Sequence, residues 1–436
     1  MNILIVGSGG REHTLAWKIK QSSLCEQLYI APGNTGTAKH GTNISFDSTD
    51  FKGLASFCVK NKVSLVFVGP EEPLVKGIYN YFRDNAATAH IHVIGPSAEA
   101  SQLEGSKAFA KAFMQRHNIP TAAYQEFTSE NYTAGVDYIR NHALPVVLKA
   151  DGLAAGKGVL ICNNHLEALA EFELMIQRSK FGEAGKKVVV EEFMKGIEVS
   201  VFVLTDGENY ILLPEAKDYK RIGRGDTGPN TGGMGAVSPV PFADDVFMQK
   251  VKERIIEPTV QGLKQEKLEY KGVIFIGLIS VNDEPFVIEY NCRLGDPETE
   301  VVLPRIESDW VEILAAVASK KLNEVQIKIT PQTAVTVVAV SGGYPNQYAT
   351  GKLIEGINDK TLEGTIIFHA GTKQEGEDVV TNGGRVLAAT SFGDNIAEAS
   401  EQSVYALENL FFEGMYFRDD IGYEFSSAHA GENSKD

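Results

Sequence analysis

Short runs of apolar residues, NILIV (2–6), LYI (28–30), VSLVFV (63–68) and IHVI (91–94), alternate with helical stretches along the N-terminal part of the chain. Continuous apolar runs bounded by turn residues mark strands buried on both faces, and their alternation with helices predicts a parallel α/β unit. Each run ends in a loop rich in turn residues: GSGGREH (7–13), APGNTGT (31–37), GPEEPLVKG (69–77) and GPS (95–97). Ligands gather outside the carboxyl ends of strands in such sheets, so these loops are expected to form one ligand mouth. Glycines that serve only tight turns would read the same way.

The pattern changes near residue 105. SKAFAKAFMQRH (106–117) has helical spacing and leads to Pro120, and a mixed α+β region follows to about 326. A final unit, about 327–426, holds a strand at TAVTVVAV (333–340), a turn-rich stretch at SGGYPNQY (341–348), a strand at RVLAATS (385–391) and a helix near 395–411. Residues 427–436 lack apolar spacing and are expected to be a frayed, disordered tail. The expected architecture is therefore a multidomain α/β and α+β chain: an N-terminal parallel α/β domain (1–104), a central α+β domain (105–326) and a small C-terminal α+β domain (327–426).

Composition narrows the function classes. With 436 residues and 43% hydrophobic content the chain can build several cores. Its formal net charge of -16 argues against general attraction to nucleic acid or anionic membrane, leaving small molecules in local basic pockets as the expected partners. Cys25, Cys58, Cys162 and Cys292 are scattered without a CxxC pair and read as reduced thiols of a cytoplasmic protein. The first apolar run is too short for a signal peptide, and no run approaches the roughly 18 residues of a membrane helix. GSGGRE departs from the GxGxxG dinucleotide fingerprint because Glu12 stands at the third glycine, which disfavours a nicotinamide cofactor.

Three segments carry candidate chemistry. In VIEYNCRLGDPE (287–298), Glu289 and Asn291 are two apart on a strand and so share a face. A carboxylate and an amide oxygen suit a hard cation such as magnesium, shared with nucleotide phosphates. An ordinary strand ending in a polar turn has the same spacing. In VVLKADGLAAGKGV (146–159), Lys149 ends a strand before a small-residue loop carrying Lys157, as in a flexible hairpin laid over phosphates. It is not a P-loop, because Gly152 to Lys157 is one residue short and Gly158 replaces the hydroxyl residue. A solvated hairpin with surface lysines is the alternative. In VVVEEFMKGIEVSVFVL (188–204) two strands flank a linker with Glu191, Glu192 and Glu198, where backbone groups can read an adenine edge and a carboxylate can accept both ribose hydroxyls. A charged hairpin tip also fits.

Lys107, the Lys149 loop, the EEFMKGIE linker and the Glu289/Asn291 pair, in this order and spacing, resemble the ATP-grasp ligases. Those enzymes clamp ATP between two α+β subdomains and activate a carboxylate as an acyl phosphate. The segments GSGGREHTLAWK, VGPEEPLVKG, LEGSKAF, ADGLAAGKG, DTGPNTGGMGA, NCRLGDPETE, HAGT and TNGGRVL are similar to the signature segments of the glycinamide ribonucleotide synthetase family, over about residues 1–425.

The resemblance implies a central ATP-grasp fold with a mobile lid at about 122–193, and an N-terminal domain that binds phosphoribosylamine. It places Lys107 and Lys149 on ATP phosphates, the backbone of Glu191, Glu192, Phe193 and Met194 on adenine, and Glu198 on ribose. Glu289 and Asn291 would ligate magnesium, with manganese as the alternative. Many ATP-grasp relatives add an acidic ligand on the preceding strand, where this chain has Gly277, so the metal is expected to lean on phosphates and water. Gly9, Gly10, Arg11, Glu12, Gly33, Asn34, Pro70 and Glu71, together with Gly295 and Asp296, fall on loops implied to hold the acceptor substrate.

KDYKRIGRGDTGPNTGGMGAVSP (217–239) reads as too glycine-rich and charged for core, and in the family this loop closes over the substrates. The implied catalytic residues are Lys149, Asp218 and Arg293, with Asp218 on the glycine ammonium, Arg293 on its carboxylate, and Lys220 alongside. The familiar pattern QDHKR is here Lys217, Asp218, Tyr219, Lys220, Arg221, so Asp218 is retained between two changed neighbours.

The implied reaction joins glycine to 5-phosphoribosylamine with ATP, through glycyl phosphate, giving glycinamide ribonucleotide, ADP and phosphate, an early step of de novo purine synthesis. Transient contact with neighbouring enzymes of that pathway would be compatible with this role. No enzyme nucleophile is required, which leaves Cys292 and His13 with structural roles. Three alternatives each make a different demand. An ATP-grasp ligase with another acceptor should lack the DTGPNTGGMGA and RLGDPE context, a dehydrogenase needs the missing glycine, and a non-catalytic ATP module does not need the metal pair.

Overall fold

The computed structural model describes residues 1–153, 158–178, 180–357 and 362–425. Lys157 and the expected tail 427–436 lie outside the described residues.

The predicted apolar runs form strands Asn2–Gly7, Gln27–Pro32, Val63–Val68 and His92–Pro96. All pair in parallel, and their alternate faces are both covered, which is why the runs are continuous rather than alternating. The sheet does not stop at this unit. Tyr270 and Lys271 pair antiparallel with Pro96 and Gly95, so the long strand Tyr270–Val281 extends the same sheet into the central region. Ile197–Thr205 and Glu284–Asn291 then flank Tyr270–Val281 on its two edges. This continuity ties the N-terminal loops to the Glu289 strand through hydrogen-bonded backbone.

A separate four-stranded antiparallel sheet runs in the order Tyr124–Thr128, Lys187–Glu192, Val146–Ala150, Val159–Cys162. Helices Tyr132–Asn141 and His165–Ile176 cover it, and Phe127, Ile139, Leu148, Phe172 and Val190 form a core of its own. The two strands around the EEFMKGIE linker therefore do not form a hairpin. Lys187–Glu192 belongs to this sheet and Ile197–Thr205 to the large one.

The C-terminal sheet runs Lys217–Asp218, Gly235–Ser238, Thr333–Val340, Arg385–Gly393, Thr365–His369, with helix Ile396–Glu408 packed on it. Its first two strands come from the segment read as too polar for core. Tyr219, Met234, Ala236 and Val237 are buried there, because Gly235–Ser238 pairs with Ala334–Val337 and both flanks of the segment become sheet. Between these flanks, strands Arg221–Gly223 and Thr227–Asn230 pair as a hairpin, exposed throughout from Arg224 to Asn230.

Candidate active site

Helix Lys107–Arg116 begins where Ser106 accepts a hydrogen bond from Phe109 N. Its first turn is also held by Asp151, whose carboxylate accepts from Ala108 N at 2.7 Å and from the Ser106 hydroxyl at 3.0 Å. LEGSKAF and ADGLAAGKG are thus one physical unit. Lys107 Nζ donates to Gly152 O at 3.2 Å, and burial pushes its ammonium below the usual lysine range.

Lys149 leaves the four-stranded sheet buried, with Nζ 2.9 Å from Glu191 Oε2 and 3.2 Å from Ile288 O. Lys111 reaches the same Glu191 oxygen at 3.2 Å, and burial takes its ammonium down to about 8. Glu191 Oε1 is buried without a hydrogen-bond partner among the described residues. The side chain of Glu191 is thereby committed to the lysines, and its backbone lies in the sheet between Tyr124 and Val147. Glu192 accepts from Ala123 N at 2.9 Å, Phe193 is exposed and Met194 half-buried. Glu198 pairs with Lys220 at 3.2 Å.

On strand Glu284–Asn291 an irregularity falls between Val287 and Glu289, so Glu289 and Asn291 keep unbroken register opposite Gly277 and Phe275. A Cβ on Gly277 would sit 3.3 Å from Glu289 Cγ, directly beside the carboxylate. Burial would raise the Glu289 carboxyl, but Lys220, Lys149, Lys107 and Arg293 together hold it below its ordinary value. Asn291 Oδ1 accepts from Arg293 Nη2 at 3.0 Å. An ionised carboxylate next to an amide oxygen is a hard-cation donor set, and among the described residues no cluster of three or more His, Cys, Asp or Glu could hold a metal without help. The donors fit a divalent cation completed by phosphate oxygens and water.

Arg293 is gripped from three directions: Glu104 Oε1 at 2.9 Å, Glu71 Oε2 at 3.4 Å, and Asn291. Glu104 also accepts from Cys292 N at 2.7 Å, so one carboxylate fixes two successive residues. Asp296 accepts from Arg385 Nη1 at 3.0 Å and from Arg11 N at 3.4 Å; these arginines outweigh burial and hold its carboxyl low. Arg11 Nη1 donates to Leu294 O at 3.0 Å.

Glu12 is spent inside the protein. It accepts from Gly9 N at 2.6 Å and from Arg11 Nε at 2.7 Å. Gly7, at φ 128°, and Gly69 leave room for this carboxylate, since a Cβ on either would fall within 2.5 Å of Glu12 atoms. The close approach that a dinucleotide pyrophosphate would make is occupied by the chain's own side chain. Asn34 is similarly engaged, donating to Ser8 O and His369 O while accepting from Gly36 N and Thr37 N, which ties the Gly33–Asn34 turn to the C-terminal sheet. Gly10 lies against Glu300, a buried carboxyl raised by burial and by Asp296, and Pro70 caps the short helix that begins at Glu71. Gly295 lies against Glu298, whose carboxyl burial and Asp218 raise to about 7.

Asp218 is raised by burial and by the acids Glu198 and Glu289, against the opposing pull of Lys220 and Lys217. Lys220 is pushed well up by Asp218 and Glu198. Cys292 donates weakly to Ala100 O, and His13 Nδ1 accepts from His369 N at 2.7 Å. Sequence reasoning passed over Lys111, Glu104, Arg385, Glu298 and Glu300. All five stand in quoted segments: Glu104 in LEGSKAF, Lys111 in SKAFAKAFMQRH one turn after Lys107, Arg385 in TNGGRVL, and Glu298 and Glu300 in NCRLGDPETE.

Comparison with known proteins converges on one family. Residues 1–104, 105–299 and 334–424 match the N domain, the ATP-grasp (A) domain and the C domain of phosphoribosylglycinamide synthetase. The phosphoribosylamine–glycine ligase of Vibrio cholerae is 46% identical over 426 residues, covering 97% of this chain and 98% of the relative. That of Escherichia coli strain K12 is 45% identical, with the same coverage of 97% and 98%. The crystal structure of the Thermotoga maritima phosphoribosylamine–glycine ligase superposes with a TM-score of 0.82 at 32% identity, over 96% of this chain and all of that one. From its three matched domains and its near end-to-end relatives, the chain belongs to the phosphoribosylglycinamide synthetase family, also known as the glycinamide ribonucleotide synthetases.

Proposed function

We propose that this chain ligates glycine to 5-phosphoribosylamine with ATP, forming glycinamide ribonucleotide, ADP and phosphate in purine biosynthesis. The observation that carries the reading is the set of cations around Glu289: Lys107 and Lys149 from the ATP side, Lys220 from the C-terminal sheet and Arg293 from the large sheet all act on one carboxylate. Such a focus of fixed charge is what transfer of a phosphoryl group to a carboxylate demands, since little covalent chemistry is left to the protein.

In this reading Lys107 and Lys149 hold the phosphates and the 191–194 backbone holds adenine, while Glu198 takes the ribose. Glu289 and Asn291 would hold magnesium, or manganese, which supplies charge neutralisation to the transferring group. Asp218 orients the glycine ammonium and Arg293 its carboxylate, so that a carboxylate oxygen meets the γ-phosphoryl group. The resulting glycyl phosphate is then attacked by the amine of phosphoribosylamine, held where Gly9–Arg11, Gly33, Glu71 and Asp296 converge. Glu12 and Asn34 act by fixing these loops. No enzyme nucleophile enters, and positioning does most of the work.

The sheet and core of the Tyr124–Glu192 region support a lid of about 122–193. Domain limits of 1–104, 105–326 and 327–426 follow the chain, although Lys217–Asp218 and Gly235–Ser238 are lent to the C-terminal sheet. The free, buried cysteines suit the cytoplasm, and among the described residues no helix is long and apolar enough to cross a membrane. The test is phosphate release from ATP with glycine and phosphoribosylamine supplied singly and together. Release that needs neither substrate, or that glycine does not affect, overturns the reading.

A further inference from the structure

Strand Lys217–Asp218 and the residues after it alternate in direction. Lys217 and Tyr219 turn towards the C-terminal segment, where Lys217 Nζ reaches Glu424 Oε1 at 2.5 Å and the Tyr219 hydroxyl donates to Glu424 Oε2 at 2.9 Å. Asp218 and Lys220 turn the other way, towards Glu198 and Glu289. The acceptor strand therefore has its chemistry on one face and its attachment on the other.

The centre of that attachment is Arg418, which is completely buried. Its Nε and Nη2 form a fork on Asp420 at 2.8 and 3.0 Å, fixing the guanidinium within its own segment. Its Nη1 then donates to Asp226 Oδ1 at 2.7 Å and to Arg221 O at 3.2 Å, and its plane lies 5.4 Å from the Tyr219 ring centroid. Asp420 also accepts from Gly225 N at 2.7 Å, and the Tyr416 hydroxyl donates to Ile222 O at 2.9 Å. Apart from the fork on Asp420, each contact runs from the C-terminal segment to the hairpin Arg221–Asn230 or to Tyr219 just before it. A buried guanidinium with all three of its nitrogens engaged is an expensive way to hold a surface hairpin, and it makes sense where that hairpin must not drift.

We propose that Arg418 is a positioning residue for the acceptor site: it locks hairpin 221–230 and the segment 217–220 to the C-terminal segment, and so fixes Asp218 and Lys220 against the nucleotide side. The inference rests on the reading of Asp218 as the glycine anchor. A displacement of about 1 Å in a positioning group can cost on the order of 100-fold in rate, whereas the proposed phosphate and adenine contacts lie outside the segment that Arg418 holds, with the ribose contact Glu198 meeting it through Lys220.

The test compares Arg418→Lys, which keeps the charge but loses the fork, with Asp226→Asn, at a partner whose side chain is 37% exposed. Steady-state kinetics are measured with glycine varied at saturating ATP and phosphoribosylamine, then with ATP varied. The glycine KM is expected to rise at least about tenfold in both variants, while the ATP KM stays within about twofold. Amide hydrogen exchange in 221–230 is expected to accelerate. A folded variant with wild-type glycine KM, or one in which both KM values rise together, overturns the proposal. If Arg418→Lys fails to fold, Asp226→Asn decides alone. Asp218→Asn is measured in parallel. Unchanged glycine use in Asp218→Asn removes the acceptor reading itself, whereas damaged glycine use there with normal Arg418→Lys and Asp226→Asn enzymes removes only the positioning role.

Discussion

Lys149 and Glu191 stand diagonally on adjacent strands, Lys149 opposite Val189 and Glu191 opposite Val147, with Nζ 2.9 Å from Oε2 and both nearly excluded from solvent. Lys111 shares that oxygen, so two ammonium groups stand on one carboxylate, and the proposed function gives the surplus positive charge to phosphates. Lys149→Met keeps the aliphatic stem and removes the charge. Turnover is expected to fall by about 100-fold or more, with ATP binding weakened less, because charge on the transferring group is greatest in the transition state. Single-turnover phosphate release alongside nucleotide titration checks it, and wild-type values in both would remove Lys149 from the phosphate site.

Glu289 has no carboxylate neighbour on the paired strand to take over its role, since Gly277 stands opposite it. Glu289→Gln conserves volume and deletes the anion, so activity at limiting magnesium is expected to drop by at least roughly 100-fold with an unchanged thermal midpoint. Metal titration of the folded variant reads the effect independently of turnover, and an unaltered metal affinity would contradict the assignment.

Asp218→Asn is expected to damage use of glycine selectively, at a cost of about 2 to 5 kcal/mol in kcat/KM for glycine, the usual penalty for leaving one member of a desolvated charge pair alone. The double change Lys217→Gln with Tyr219→His acts on the opposite face. It removes an ion pair and a hydrogen bond to Glu424, together with the cation stacked 4.0 Å from the Tyr219 ring centroid. A lower thermal midpoint with kcat largely kept is the expected result. Loss of turnover at full stability would place the chemistry on the wrong face.

His369 is buried, and burial carries its imidazole down to about 3 from 6.5, with Lys39 and His40 adding to the shift. The folded chain keeps this ring neutral while the unfolded chain protonates it below pH 6.5. Stability is therefore complete above pH 6.5 and is lost as pH falls from there towards 3, at up to about 1.4 kcal/mol per pH unit for one such group. Denaturant unfolding across that range should show a shallower slope in His369→Gln than in the parent. An identical slope would mean that the ring is protonated in the folded state.

Much of the secondary structure is legible because it is local. The helix expected over 106–117 forms as Lys107–Arg116 with Ser106 as its cap, and the helix expected near 395–411 forms as Ile396–Glu408 behind Asn395. Strands 63–68 and 333–340 have the predicted limits. The segment 217–239 was misread because its composition is that of a loop, and its few apolar residues find their partners on Thr333–Val340, about a hundred positions later.

What the sequence determined alone is therefore the set of strands and caps, the shared face of Glu289 and Asn291, and the family resemblance carried by contiguous segments. Neighbours two to four positions apart set those features, through strand alternation and the first turn of a helix. Tertiary structure alone decided which charge meets which. Glu104 meets Arg293, Lys111 joins Lys149 on Glu191, Arg385 meets Asp296, and Arg418 grips a hairpin 192 positions away at Asp226. Alternation states which way a side chain points but not what stands opposite. In a buried site it is the opposing group, brought in by sheet order and chain crossover, that sets the charge state, the free donor and the reach of every residue there.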